Sequence, residues 1–167
     1  MRAVVHRHMS LVWRVLRRSG LPSADADEVA QDVFWVFAQR AAEVPEYAER
    51  SFLVSVALRV ASDRRRSKWN RRSTEPLEPE SYPSHELLPD EALARDRNRA
   101  LLDEALESLD TPHREVFVLF EIEQMTREEV AEVLGIPPGT VASRLRKARE
   151  EFRAAAERLQ SRTRRHG

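Results

Sequence analysis

Cysteine is absent from this chain of 167 residues, which also has only four glycines and an aromatic content of 7%. Without cysteine there is no disulfide and no thiolate metal site, a composition that suits a reducing compartment. No apolar run approaches the roughly 20 residues that a bilayer-spanning helix needs, and the N-terminus lacks the apolar stretch of an export signal. We therefore expect a cytoplasmic protein without membrane insertion. The scarcity of glycine among long helical periodicities predicts an all-α fold.

The chain also lacks the residue patterns of an enzyme or a metalloprotein. It has no glycine-rich phosphate loop and no readable pairing of a nucleophile with a base. His6 and His8 form a pair near one end, but no carboxylate set at ligand spacing joins them. His113 follows Pro112 at a helix start, where we expect a surface or capping residue. We expect no catalytic residue, no metal and no cofactor.

Charge is balanced overall but unevenly distributed. The 28 basic and 28 acidic residues cancel, yet residues 1–72 carry a net charge of +6, residues 73–109 of −7 and residues 110–167 of +1. The front part is therefore basic. The acidic segment lowers nonspecific attraction to DNA, because that attraction scales with the number of phosphates neutralised.

An acidic, proline-rich stretch divides the chain. Four of the nine prolines fall within it, which predicts an extended, weakly structured linker over residues 73–92. We predict two small helical domains, residues 1–72 and 93–160, followed by a frayed tail over 161–167. We expect the two domains to move independently. The linker prolines are Pro76, Pro79, Pro83 and Pro89.

Three helices are predicted in the first domain. The first covers about residues 3–18, the second begins at a capping Ser23 and runs to about Ala42, and the third covers about Tyr47 to Arg66. Each carries apolar residues at helical spacing. Those expected to face inward are Val5, Leu11, Val12, Val15, Leu16, Val29, Val33, Val36, Phe37, Phe52, Val56 and Val60.

The second domain contains the pattern of a helix-turn-helix. Thr126 and Glu129 have the spacing of a capping box at the start of one helix, and Gly135 suits its left-handed end. The proline pair that follows suits the first turn of a second helix. In that helix Val141 and Leu145 recur at helical spacing and should pack inward, as should Ala148.

The rest of that second helix is basic or small and polar. Cations neutralise phosphates, and arginine or serine can reach base edges, so this helix is built to enter a DNA groove. A helical hairpin with a solvated basic face is the alternative. The residues left to face DNA are Thr140, Ser143, Arg144, Arg146, Lys147 and Arg149.

The first domain offers two further surfaces. The outer face of its second helix carries acids, amides and Trp35, which is either an exposed partner anchor or a core tryptophan under the first helix; spacing leaves both open. The third helix leads into a cationic run, Arg64 to Arg72, in which Trp69 is embedded. Such a run suits unpaired DNA, because cations can line the path of the phosphate backbone and the tryptophan ring can stack on a base. A solvated basic helix end has the same pattern and is the alternative.

These features together resemble a bacterial extracytoplasmic-function (ECF) sigma factor of RNA polymerase. Residues 106–152 resemble that class's region 4 along their whole length. Residues 25–37 resemble the polymerase-binding helix of region 2, and residues 52–66 resemble the helix that reads and helps melt the promoter. The order and distance of these segments fit the class.

The resemblance implies a function for each surface. The second helix would dock on the coiled-coil clamp of the largest subunit of core RNA polymerase through Glu28, Gln31, Asp32 and Trp35. Region 2 would recognise the −10 element and hold its melted non-template strand through Arg59, Asp63, Arg64, Arg65, Arg66, Lys68 and Trp69. Region 4 would read the duplex −35 element through the outward-facing residues of the recognition helix, which are Thr140, Ala142, Ser143, Arg144, Arg146, Lys147 and Arg149. The linker would thread near the polymerase active site, and an anti-sigma factor would hold the protein inactive.

Three positions depart from the pattern of the class. Arg59 stands where asparagine is common, Ala142 where a basic or polar residue is frequent, and Phe120 where arginine is frequent. The first two could alter promoter preference, and Phe120 is expected in the core or on a partner surface. The alternative functions are a helix-turn-helix regulator that does not enter polymerase, and a sigma-like decoy for an anti-sigma factor.

Overall fold

The computed structural model describes residues 1–72 and 91–166, except for the side chains of residues 68–72, 91–97, 163, 165 and 166. Within these ranges the secondary structure is helical, with no strand, in agreement with the expected all-α class. The greater part of the expected linker, residues 73–90, lies outside the described ranges. The helices are α1 (Arg2–Arg18), α2 (Ser23–Arg40), α3 (Glu49–Arg72), α4 (Glu91–Glu107), α5 (Thr111–Phe117), α6 (Arg127–Leu134) and α7 (Pro138–His166).

The front half is a three-helix unit in which α1, α2 and α3 pack against one another. The apolar stripes predicted for α1 and α2 are inside, apart from Val5 and Val36, which are half-buried. Phe37 of α2 meets Phe52 of α3 edge to face, with ring centroids 6.0 Å apart. Periodicity at 3.6 residues thus located the inward faces of α1 and α2.

Helix α3 is buried on more sides than its predicted stripe allowed. Val56 is buried, but Phe52 and Val60 are only half-buried. The helix packs against α1 and α2 on one side and against α6 of the back half on another, so a single stripe does not describe its core. The further buried residues of α3 are Leu53, Val54, Ala57, Leu58 and Ala61.

Two predicted boundaries in the front half were wrong. Ser23 is the first residue of α2, and Pro22 occupies the capping position without a side-chain cap. Helix α3 begins at Glu49, after a short 3₁₀ turn, and continues through the cationic run as far as Arg72. The run is therefore part of the helix rather than a tail, since nothing in its sequence breaks a helix.

The back half contains the predicted helix-turn-helix. Thr126 Oγ1 accepts a hydrogen bond from the Glu129 amide at 3.2 Å, and the Thr126 amide donates to the Glu129 carboxylate at 2.7 Å. Gly135 ends α6 in the left-handed conformation with φ of 62°. Val141 and Leu145 of α7 are buried, as predicted. This motif is confirmed because each of its signals is local in sequence.

Helices α4 and α5 pack against α7 and so support the helix-turn-helix. The rings of Phe117 and Phe152 stack with centroids 4.6 Å apart, and α5 runs into a π-helical turn, Val118–Ile122. The tail expected to fray is helical through His166. Arg162 near this end pairs with Glu104 of α4 at 2.6 Å, which ties the last turns of α7 to the domain.

The two halves share one hydrophobic core. Leu119, Met125 and Val130 of the back half belong to the same buried cluster as the core residues of α1, α2 and α3. The sequence predicts independently moving domains, whereas the described structure has them packed together. None of the helices in the described ranges is long and apolar enough to cross a membrane.

Candidate nucleic-acid interface

The recognition helix, the first turns of α7, presents its predicted DNA face to solvent. Because Val141, Leu145 and Ala148 anchor one side in the core, the polar residues between them point outward. Thr140 and Arg144 are half-buried at the edge of this face. The exposed members are Ala142, Ser143, Arg146, Lys147 and Arg149.

Arg149 is held in place by its neighbours. Its guanidinium lies 2.6 Å from the Glu121 carboxylate and 5.8 Å from the ring centroid of Phe120. Phe120 is half-buried and packs against the shared core, which agrees with the first of the two places expected for it. Glu121 and Phe120 thus orient a cation at the edge of the recognition helix.

The basic face of α3 is formed by residues at positions i, i+4 and i+7. Arg59, Asp63 and Arg66 are exposed and follow one another along this face. Lys68 and Trp69 lie on the same helix, but their side chains fall outside the described part of the chain. The described cations Arg59 and Arg66 are therefore free to meet a phosphate backbone.

Arg64 lies on another face of α3 and joins it to α2. Its Nη2 is 2.5 Å from the Glu28 carboxylate and 3.9 Å from that of Asp32. The hydrogen bond that Arg64 donates to Glu28 raises the pKa of the Arg64 guanidinium. A predicted promoter-binding residue thus contacts two predicted polymerase-binding residues.

Arg65 is half-buried and contacts both halves of the protein. It donates to the carbonyl oxygen of Ser19, and its Nη2 lies 3.3 Å from the Glu115 carboxylate of α5. Burial raises the pKa of the Glu115 carboxyl, against the opposing effect of Arg65. The structure therefore does not group Arg65 with the exposed cations Arg59 and Arg66.

The outer face of α2 is exposed along its length. Glu28, Gln31 and Asp32 are all exposed, and Trp35 has 65% of its surface open to solvent. Of the two roles that the sequence left open for Trp35, the structure matches the exposed one. It is Trp13 of α1 that packs near the start of α2, where its indole N–H donates to Asp27 at 3.0 Å.

Sequence reasoning missed the charged contacts between the two halves. Glu123, which is 5% exposed, pairs with Arg14 and Arg18 of α1, while Arg50 of α3 donates to its backbone carbonyl. The available signal was the presence of two acids, Glu121 and Glu123, within the largely apolar stretch 116–125. No neighbouring residue in the sequence indicated which cations Glu123 contacts.

Two of the described histidines, His8 and His113, contact glutamate side chains. His113 Nδ1 lies 2.9 Å from Glu151, and His8 Nε2 lies 3.2 Å from the buried Glu49. Within the ranges that the structure describes, no cluster of three or more histidine or acidic side chains could hold a metal ion.

Comparison with protein families gives two matches that cover the two halves. Residues 4–71 match sigma-70 region 2, and residues 99–152 match sigma-70 region 4. The first range covers nearly all of α1 to α3 with both front surfaces. The second covers the later half of α4, all of α5 and α6, and the first half of α7 with the recognition face. Each predicted surface therefore falls within the corresponding region.

The similarity to known sigma factors extends over most of each chain. The ECF RNA polymerase sigma factor SigL of Mycobacterium tuberculosis is 30% identical over 161 residues, which cover 95% of this chain and 90% of SigL. The RNA polymerase sigma factor CnrH of Cupriavidus metallidurans is 30% identical over 162 residues, 90% of this chain and 83% of CnrH.

Solved structures agree in fold. CnrH in complex with the cytosolic domain of CnrY has a TM-score of 0.67 at 26% identity, covering 93% of this chain and 86% of that one. The sigma factor RpoE of Bartonella quintana, in complex with the anti-sigma factor NepR, has a TM-score of 0.75 at 16% identity and covers 93% and 96%. The second likeness shows the fold.

The helix-turn-helix with its exposed cations, the exposed face of α2 and the two region matches point to one assignment. Proteins with these regions act as transcription initiation factors rather than as enzymes: regions 2 and 4 bind core RNA polymerase and promoter DNA. With SigL similar over nearly its whole length, the chain belongs to the ECF RNA polymerase sigma factors.

Proposed function

We propose that this sigma factor works through three surfaces, each formed by the residues that the sequence singled out. The α2 face, Glu28, Gln31, Asp32 and Trp35, binds core RNA polymerase. The α3 face binds the −10 element through Arg59, Asp63 and Arg66, with Arg64, Arg65, Lys68 and Trp69 joining them on the promoter. The recognition face binds the −35 element through Thr140, Ala142, Ser143, Arg144, Arg146, Lys147 and Arg149.

The observation that carries this proposal is the exposure of Trp35. A tryptophan that is 65% exposed on a helix with a buried opposite face has no role in the core of the free protein. Rings of this size supply much of the binding energy in protein interfaces when a partner covers them. A regulator that binds DNA alone would need no such anchor.

The promoter surfaces would supply binding energy rather than chemistry. Arg146 and Lys147 would neutralise phosphates of the −35 duplex, while Ser143 offers a hydroxyl to base edges. The cations of α3 would bind the phosphate backbone of a single strand whose bases are unstacked. This binding energy would offset an unpairing cost of a few kcal/mol per base. We assign no catalytic residue, cofactor or metal to this chain, and polymerase performs the reaction.

Regulation by an anti-sigma factor belongs to the same proposal. Two sigma factors of similar fold, CnrH and the Bartonella RpoE, were solved in complex with CnrY and with an anti-sigma factor. We infer that this chain is also controlled by such a partner. Its place of work is the cytoplasm, where bacterial polymerase and promoter DNA are found.

Run-off transcription tests the proposal. Bacterial core polymerase and a library of promoter fragments are combined with the protein, with a variant carrying Asp32→Ala and Trp35→Ala, and with Tyr47→Ala as control. Tyr47 is 89% exposed but lies in the 3₁₀ turn, off the α2 face. We expect new starts that the double variant loses and the control keeps.

The other outcomes separate the alternatives. Specific binding of duplex DNA without new starts would indicate a regulator that does not enter polymerase. Absence of both, together with capture of an anti-sigma factor, would indicate a decoy. Starts that survive the double variant would refute the assignment of the α2 face.

A further inference from the structure

Apolar packing brings regions 2 and 4 together in the described structure. Met125, which is 2% exposed, and Leu119 lie in the cluster formed by α1, α2 and α3, and α6 packs directly on α3. Buried apolar contacts of this kind favour association of the two halves but are not directional. Polar groups at the contact add geometric specificity to the placement of the halves.

Glu123 supplies such a group at the centre of the contact. Its carboxylate accepts hydrogen bonds from Arg14 Nε at 3.1 Å and Nη2 at 2.7 Å, and from Arg18 Nη1 at 3.2 Å. Arg50 donates to its backbone carbonyl. One side chain and one carbonyl of region 4 thus engage three arginines of region 2.

Burial makes this contact specific. The Glu123 side chain is 3% exposed, and a carboxylate so far from water is costly unless cations hydrogen-bond to it. The hydrogen bond to Glu123 raises the pKa of Arg14, so the cation stays charged. Burial of the carboxylate is therefore tolerated in this arrangement of the two regions, where arginines surround it. In an arrangement without these arginines, burial would be unfavourable and the carboxylate would remain in water.

A second contact engages a promoter cation, whose side chain is 29% exposed, within the protein. Arg65 of α3 turns toward Glu115 of α5 and the carbonyl of Ser19. While the regions are docked, Arg65 is engaged within the protein rather than available to the −10 strand.

Promoter geometry excludes this docked form from the active complex. The −35 and −10 elements lie about 25 base pairs apart, which is about 85 Å of duplex at 3.4 Å per base pair. Regions 2 and 4 in direct contact cannot reach both, since a compact chain of 167 residues has a radius of gyration of about 15 Å.

We propose that free protein is held in a closed, self-inhibited state by a latch, the contact of Glu123 with Arg14, Arg18 and Arg50, which must open before both promoter elements are bound. The inference that opening activates rests on the proposed promoter function; the latch itself does not. Core polymerase would favour the open state by binding the two regions at separate places.

Distances between labels test the latch in the full chain. Because the sequence has no cysteine, Ala38→Cys on α2 and Ala154→Cys on α7 can be spin-labelled specifically; both alanines are exposed. The background protein should give one short, narrow distance distribution. Glu123→Gln should broaden and lengthen it, because Arg14 and Arg18 then face an uncharged side chain. Glu104→Gln, which removes an ion pair inside region 4, is the matched control and should change nothing.

Arg14→Gln provides a second route to the open state. Arg14 is partly exposed, so its replacement disturbs the core less than a change at Glu123, and circular dichroism verifies that both variants keep their helices. Broad distances in the background protein, or narrow ones in both folded variants, would overturn the latch.

Polymerase binding separates the latch from the promoter function. If at least nine-tenths of free protein is closed and polymerase binds the open form alone, Glu123→Gln should bind core polymerase at least about tenfold more tightly than the parent. Opening of the variants without any polymerase binding would leave the latch standing and refute the sigma-factor proposal. Opening with unchanged polymerase affinity would overturn self-inhibition.

Discussion

Replacing Trp35 by alanine should abolish most of the affinity for core polymerase without affecting the fold. A tryptophan presents up to about 250 Å² of surface. With 65% of it exposed, about 160 Å² is available to a partner. At about 25 cal/mol per Å², covering that area contributes at most about 4 kcal/mol. Alanine keeps part of the contact, so we expect a loss of about 2–3 kcal/mol, or about 30- to 150-fold in Kd.

The assay is equilibrium binding of fluorescently labelled protein to core polymerase. Tyr47→Ala is the control, because it also removes an exposed aromatic ring from region 2 but leaves the α2 face intact. Thermal unfolding of both variants should match the parent, since exposed substitutions change stability by about 0.5 kcal/mol or less. A Kd within about threefold of the parent for Trp35→Ala, or an equal loss in the control, would refute the reasoning.

Three further perturbations test other parts of the structure. Thr126→Ala removes the capping box and should lower the free energy of unfolding by about 1 kcal/mol, measured by urea titration; an unchanged midpoint would contradict this role. Arg146→Gln should weaken promoter binding at all sequences and reduce the slope of log K against log salt by about 0.9; an unchanged slope would show that Arg146 meets no phosphate. The raised pKa of Glu115 means that its ionisation destabilises the native state as pH rises through the ordinary carboxyl range and up to the native pKa. Glu115→Gln should therefore be more stable than the parent at pH 7, with the difference vanishing well below pH 4 in thermal unfolding; a gap that persists in acid would refute the linkage.

The parts of this structure that sequence could predict are those whose causes are local. The helix-turn-helix follows from Thr126, Glu129 and Gly135, each acting within four residues of its partner. The inward stripes of α1 and α2 follow from one-sided packing. The exposure of Trp35 could not be predicted from the sequence, because the first helix could equally have packed over its side of α2.

The contact between regions was beyond sequence reasoning for a definite reason. Glu123 finds Arg14, Arg18 and Arg50 at separations of 109, 105 and 73 residues. Periodicity carries no information on such pairs, and an acidic, proline-rich linker between the regions predicts independence. Helix α3 held the available clue, since apolar residues on several of its faces exceed what two neighbouring helices can cover.

The docked arrangement pairs part of the basic charge of region 2 with acidic residues of region 4. The net +6 of residues 1–72 includes Arg14, Arg18 and Arg65, which are turned toward Glu123 and Glu115 of region 4. Cations engaged in this way contribute little to nonspecific binding, because that binding grows with the number of phosphates they neutralise. Attraction to DNA in the closed form then rests on the exposed cations of α3 and α7. Opening would add Arg65 to the −10 surface at the moment when polymerase holds the regions apart, so affinity for DNA and placement on the promoter would rise together.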